Sequence, residues 1–189
     1  MRTVVISLIA EDRPGLVAEL ARTVTEQGGG WLESQMGRLG GSFAGAVLIE
    51  IAPDRVEELT AAVRALPDVG VVDVSPTGPA ADAGVETVRL QVVGQDQPGI
   101  VRDVSAALAE RGLGIHELHT ATSDAPMSGE RLFEATAVVG VREGVDLDDL
   151  RAALDEVSAE LSLDVRLDDG DDNPAWGAVP ERAAGSPLT

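Results

Sequence analysis

The sequence predicts an α+β protein built from two copies of one βαββαβ module, each an antiparallel sheet with its helices on one face. Two observations predict it. Asp12-Arg13-Pro14-Gly15-Leu16-Val17 returns as Asp96-Gln97-Pro98-Gly99-Ile100-Val101, an offset of 84 residues, and the flanking segments stay in register without a gap through Glu33 and Glu117. In both copies an apolar run rich in β-branched residues precedes the motif, and apolar residues at helical spacing follow it. A repeat of this length marks a duplicated domain, since solenoid periods run to roughly 20–50 residues.

The elements follow in order. Residues 3–10 are aliphatic and β-branched and predict a buried strand. Arg13, preceding a proline, is pushed toward extended geometry, and Pro14 suits the first helical position, where its missing N–H costs nothing. Leu16, Val17, Leu20, Ala21 and Val24 then form one helical stripe, ended by Gly28-Gly29-Gly30. Trp31 to Met36 and Ser42 to Ile51 predict two strands joined across the Gly37 to Gly41 turn. Pro53 opens a second helix with Val56, Leu59, Val63 and Leu66 on its apolar side, and Val69 to Val74 closes the module.

The second copy predicts a strand at 85–93, a helix from Pro98, strands at 113–122 and 131–141, a helix carrying Leu147, Leu150, Leu154, Val157 and Leu161, and a last strand at 163–167. This order is that of the ferredoxin-like fold. The expected boundaries are 1–75 for the first module, 76–84 for a Pro-, Gly- and Ala-rich linker and 85–167 for the second module. An acidic tail rich in Asp, Gly and Pro, expected to be disordered, occupies 168–189.

Composition removes several function classes. The chain carries 33 acidic against 14 basic residues, a formal net charge of −19, and every basic residue is arginine. Nucleic-acid affinity rests on neutralising phosphates, so direct binding to nucleic acid is not expected. The absence of cysteine excludes disulfides, thiolate metal sites and cysteine nucleophiles. The apolar run Val4 to Ala10 is short, runs straight into Glu11-Asp12-Arg13-Pro14 and is repeated as a strand at 88–93, so it predicts no signal peptide. No segment is long enough to span a bilayer, and a cytoplasmic protein is expected.

The Asp-x-Pro-Gly loop is the candidate site. It sets a sharp turn and a helix N-terminus at the end of a strand, where free N–H groups favour a carboxylate. Gly15 and Gly99 allow close approach to the backbone, and Asp12 and Asp96 offer partners for a ligand ammonium. The same residues also suffice simply to shape a strand-to-helix turn, and the motif alone carries both readings. Arg13 is replaced by Gln97 in the second copy, which makes the two loops inequivalent if charge there matters.

With these residues in view, the chain resembles tandem ACT-domain proteins, and among them the glycine cleavage system transcriptional repressor family. The resemblance covers about residues 3–167. It rests on the two loops, on Glu33-Ser34 and Arg38-Leu39-Gly40-Gly41-Ser42-Phe43, and on Ile115-His116-Glu117-Leu118 and Gly129-Glu130-Arg131. It implies a non-catalytic sensor of glycine or a similar amino acid, without cofactor, acting as a homodimer on a protein partner such as a DNA-binding transcriptional activator. The ligand-binding residues it implies are Asp12, Arg13, Gly15, Leu16 and Val17, with Asp96, Gly99, Ile100 and Val101 as the second set. ACT sites often open the second strand with Asn, where this chain has Gly30 and Gly114.

The remaining polar residues predict no chemistry of their own. His116 and His119 are three apart on a strand and are expected on opposite faces, so no metal site is expected from them. Trp31 is expected in the core. Asp168-Asp169-Gly170-Asp171-Asp172 lacks the downstream Glu of an EF-hand loop. No nucleophile elbow, phosphate loop or paired-histidine helix is present, and no catalytic residue is assigned.

Overall fold

A computed structural model describes residues 1–77, 86–125, 129–142 and 144–168. The chain divides into two compact units, Met1–Ala80 and Ala81–Thr189. The tail expected over 168–189 lies outside the described residues apart from Asp168, which ends the last strand rather than opening a tail. Most of the expected linker lies outside them too.

The first unit runs β1 (Arg2–Glu11), α1 (Leu16–Glu26), β2 (Gly30–Leu39), β3 (Ser42–Ile51), a 3-10 turn (Pro53–Arg55), α2 (Val56–Arg64) and β4 (Val69–Pro76). The sheet order is β2-β3-β1-β4, with β3 antiparallel to both β1 and β2, and β4 antiparallel to β1. Alternation along β1 decides the faces. Val4, Ile6, Leu8 and Ala10 are buried, together with Val47, Ile49 and Ile51 of β3 and Leu16, Leu20, Val24, Leu59 and Val63 of the helices. All twelve form one cluster, so both helices cover the same face. Each such side chain stabilises the unit by roughly 1.5–3 kcal/mol before entropy is counted.

The second unit repeats this with β5 (Glu86–Gln95), α3 (Ile100–Ala109), β6 (Gly114–Asp124), β7 (Arg131–Val141), α4 (Leu147–Leu161) and β8 (Leu163–Asp168), in sheet order β6-β7-β5-β8. Its core draws on Val88, Leu90 and Val92 of β5, Ile100, Val104 and Leu108 of α3, Val139 of β7 and Leu150 and Leu154 of α4. The ferredoxin-like reading holds in both units.

Four details depart from expectation. α1 and α3 begin two residues after Pro14 and Pro98, so each proline lies in the turn and the following glycine is the N-cap residue. The second strand runs through Leu39, because Gly40 and Gly41 both take positive φ, 59° and 86°, and make a tight two-residue hairpin. Pro53 opens a 3-10 turn ahead of the helix proper. The pairing register slips between Trp31 and Glu33 and, at the equivalent place, between Ile115 and Glu117.

That second slip corrects the histidine expectation. Glu117 pairs with Val138 while Ile115 pairs with the buried Val139, so one residue, His116, is extra. Its ring lies over Gly140, on the side away from the helices, which is also the side of His119, opposite Thr136. The two rings therefore share the open face. Among the described residues no group of three or more histidine or carboxylate side chains is placed to hold a metal ion.

Candidate functional site

Each loop begins where the central strand of its sheet leaves the β ladder. Gly15 takes φ 88° and Gly99 φ 108°, a left-handed conformation that costs a residue with a side chain roughly 1–2 kcal/mol. This turn starts α1 and α3 without any side chain bonding their first N–H groups. α4 shows the contrast: Asp146 Oδ1 accepts from the backbone N–H groups of Asp148 at 2.9 Å and Asp149 at 3.3 Å. The two repeated helices thus present uncapped N-termini, the polarity that suits a carboxylate.

The two aspartates are already paired. Arg38 Nε lies 2.7 Å from Asp12 Oδ2, and Arg131 Nε lies 3.6 Å from Asp96 Oδ2. Arg131 also donates to Thr122 Oγ1 at 3.0 Å. Sequence reading missed both arginines as partners. The signal was the hairpin each belongs to, whose tip must lie beside the loop because the neighbouring strands β1/β3 and β5/β7 pair to their ends.

Arg13 faces inward to its own unit. It donates to Glu19 Oε2 at 2.6 Å and Oε1 at 3.3 Å, and to the Pro67 carbonyl at 3.4 Å. Its Nε sits 3.1 Å from Asp68 Oδ2, an ion pair without hydrogen-bond geometry. Gln97 does the corresponding work with one bond, from Nε2 to the Leu161 carbonyl at 2.5 Å. Pro67 and Leu161 each precede a residue of positive φ, Asp68 at 64° and Ser162 at 52°, that turns the chain into the last strand. The Arg13/Gln97 difference is therefore two ways of tying the loop to that turn.

This tie has a pH sign. The hydrogen bond from Arg13 holds the Glu19 carboxyl below the ordinary glutamate value. A lowered folded pKa contributes stability above the unfolded value, and that stability fades as the pH falls through the folded one. Arg13→Gln should keep a neutral tie, as the second module does, and lose the acid-dependent part. Arg13→Ala should lose both. Thermal midpoints at pH 7 and pH 4 for the three proteins check this, with Arg13→Gln expected nearer wild type at pH 4 than at pH 7.

The apolar candidates separate into two kinds. Leu16 and Ile100 are in the core, so only their backbone can meet a ligand. Val17 and Val101 are 43% and 44% exposed at matching positions, and Val17 thus falls outside the helical stripe its spacing assigned to it. The surroundings of the glycines differ between the copies. A β-carbon on Gly15 would have no heavy atom within 4 Å, whereas one on Gly99 would meet Arg102 at 3.0 Å and Asp103 at 3.2 Å. Arg102 and Asp103 are themselves paired at 2.6 Å. The first loop is open and the second is partly covered.

Beneath Val101 the second unit has a small apolar crevice of about 20 Å³ between α3 and the sheet, bordered by Val104, Ile115, Leu118 and Phe133. The residue matching Ile115 in the first unit is Trp31, which packs against the core as expected.

Two modules of βαββαβ order, each starting its first helix from a left-handed glycine without a side-chain cap, define the class of the fold. The ACT domain family model matches residues 2–74, the span of the first module; ACT domains are regulatory modules. A crystal structure of an unknown protein from Galdieria sulphuraria superposes with a TM-score of 0.78 at 28% identity, covering 88% of this chain and 97% of its own. A second, provisionally described as a glycine cleavage system transcriptional repressor, gives a TM-score of 0.67 at 24% identity, covering 88% of this chain and 96% of its own. At that identity the likeness is one of fold. No curated protein matches the sequence.

Proposed function

We propose that this protein is a non-catalytic sensor, a tandem ACT module that binds glycine or a similar free amino acid and passes the result to a protein partner such as a transcriptional regulator. The observation that carries it is the duplicated Asp-x-Pro-Gly loop, which in both units leaves a helix N-terminus uncapped beside a half-exposed valine. An α-amino acid has the charges to match: a carboxylate for the helix end and an ammonium for the aspartate. The acidic composition supports action through a protein rather than on DNA. No helix among the described residues is long and apolar enough to cross a membrane, and a cytoplasmic site of action fits this reading.

Calorimetric titration of the intact chain with each standard amino acid tests it. Gly15→Val should abolish binding at the first loop while leaving the far-UV circular dichroism in place, because a β-branched residue strains the left-handed position without meeting any core atom. Wild-type affinity in that variant would move the site elsewhere.

A second reading is a module acting through protein contacts alone. It is favoured by β2 and β6, ten and eleven residues long, each standing at an edge of its own sheet. A partner captured equally by wild type and Gly15→Val, with no amino acid bound by either, supports this alternative.

A further inference from the structure

Both units make one contact by different means. The loop aspartate is paired with an arginine from the adjoining hairpin in each, yet Arg38 stands on the second strand of its unit and Arg131 on the third. The repeat does not carry this pairing, since the two arginines occupy different strands.

We propose that Arg38 is a ligand-binding residue: together with the uncapped start of α1 it receives the carboxylate of a free α-amino acid whose ammonium takes Asp12, the ligand replacing the internal Asp12–Arg38 pair. This rests on the sensor reading above and names the charge pattern that the site demands.

Three observations carry it. The partners are unequally anchored, with the Asp12 side chain 29% exposed and that of Arg38 78% exposed. The carboxylate belongs to the loop and is the less exposed partner, whereas the guanidinium stands mainly in solvent, so the arginine can swing aside. An exposed pair of this kind is weak and easily exchanged, and a zwitterion satisfies both halves at once without leaving either charge alone. There is also room, because a β-carbon at Gly15 or at Gly37, next to Arg38, would have no heavy atom within 4 Å. Guanidinium is well suited to the receiving role, since its planar fork takes a carboxylate with two bonds.

The second unit offers the same pattern in weaker form. Arg131 is 3.6 Å from Asp96 and shared with Thr122, and the Arg102–Asp103 pair stands over Gly99. The first unit is the tighter site.

The test titrates wild type, Arg38→Ala and Arg131→Ala with the tightest binder among the twenty standard amino acids, then with its amide and its N-acetyl derivative. The expected result is that wild type binds the free amino acid at least about tenfold more tightly than the amide or the N-acetyl form. Arg38→Ala should lose about that factor for the free acid while its affinity for the amide stays put, and Arg131→Ala should change the first site little. A hairpin staple without ligand contact would shift the melting temperature of Arg38→Ala but not this selectivity. Unchanged affinity and selectivity in Arg38→Ala overturns the inference and leaves the sensor reading standing. Wild type that binds no amino acid overturns both.

Discussion

Truncating Ile49 to alanine is expected to destabilise the first module by about 3–4 kcal/mol. Ile49 is fully buried on β3, with Val4 opposite it on one side and Trp31 on the other. Removing three heavy atoms there leaves a cavity among rigid neighbours, since the sheet backbone on both sides fixes how far they can relax. A module of this size commands a total stability on the order of 4–11 kcal/mol, so the loss is a large share of it. Ile9 provides the control. It lies on the same sheet but is 47% exposed on the helix-free face, and its truncation should stay within about 0.5 kcal/mol. Urea midpoints of the two variants decide the matter; equal losses would mean that the assignment of faces is wrong.

Gly45→Ala should cost about 2–3 kcal/mol by a different route, overpacking against backbone. A β-carbon there would collide with the Gln35 carbonyl oxygen and lie 2.6 Å from Met36 Cα. A backbone contact cannot be relieved by turning a side chain, so β2 and β3 would have to part where Gly45 faces Met36. Gly37, on the same strand pair, has open space around its missing β-carbon and no positive φ. Gly37→Ala should be neutral or stabilising by a few tenths of a kcal/mol to about 1 kcal/mol. Equal midpoints for the two glycine variants would contradict the packing described for β3.

Most of the fold was legible because the signal was periodic and duplicated. The aliphatic, β-branched run at residues 3–10 marks a strand and helical spacing at Leu16, Leu20 and Val24 marks a helix, and the repeat checks each element against its copy. What escaped was local geometry without a compositional mark. The slips beside Leu32 and His116 add one residue to a strand, and nothing in those side chains announces it. Pro14 was placed two residues too far inside the helix because the left-handed turn at Gly15 delays the first helical residue.

The loop itself was legible as a motif, but its contacts were not. Arg13 differs from Gln97 in charge, which drew attention to it, yet both side chains tie the loop to the turn before the last strand. The difference with more consequence for access lies at Arg102 and Asp103, where the first module has Ala18 and Glu19. Spacing along the chain cannot reveal which side chain lies over a glycine. Leu16 and Ile100 show the same limit from the other side: they stand next to the loop glycines in sequence, and the helix turns them into the core.

The central claim is that the loop of an intact, correctly folded chain recognises a free amino acid. Isothermal titration of the full-length protein with the twenty standard amino acids at millimolar concentration tests it most directly. The predicted result is saturable binding of at least one of them, glycine or a close analogue first, whose tighter, first-loop component disappears in Gly15→Val. Heats indistinguishable from dilution for all twenty, from protein with a normal melting transition, would contradict it.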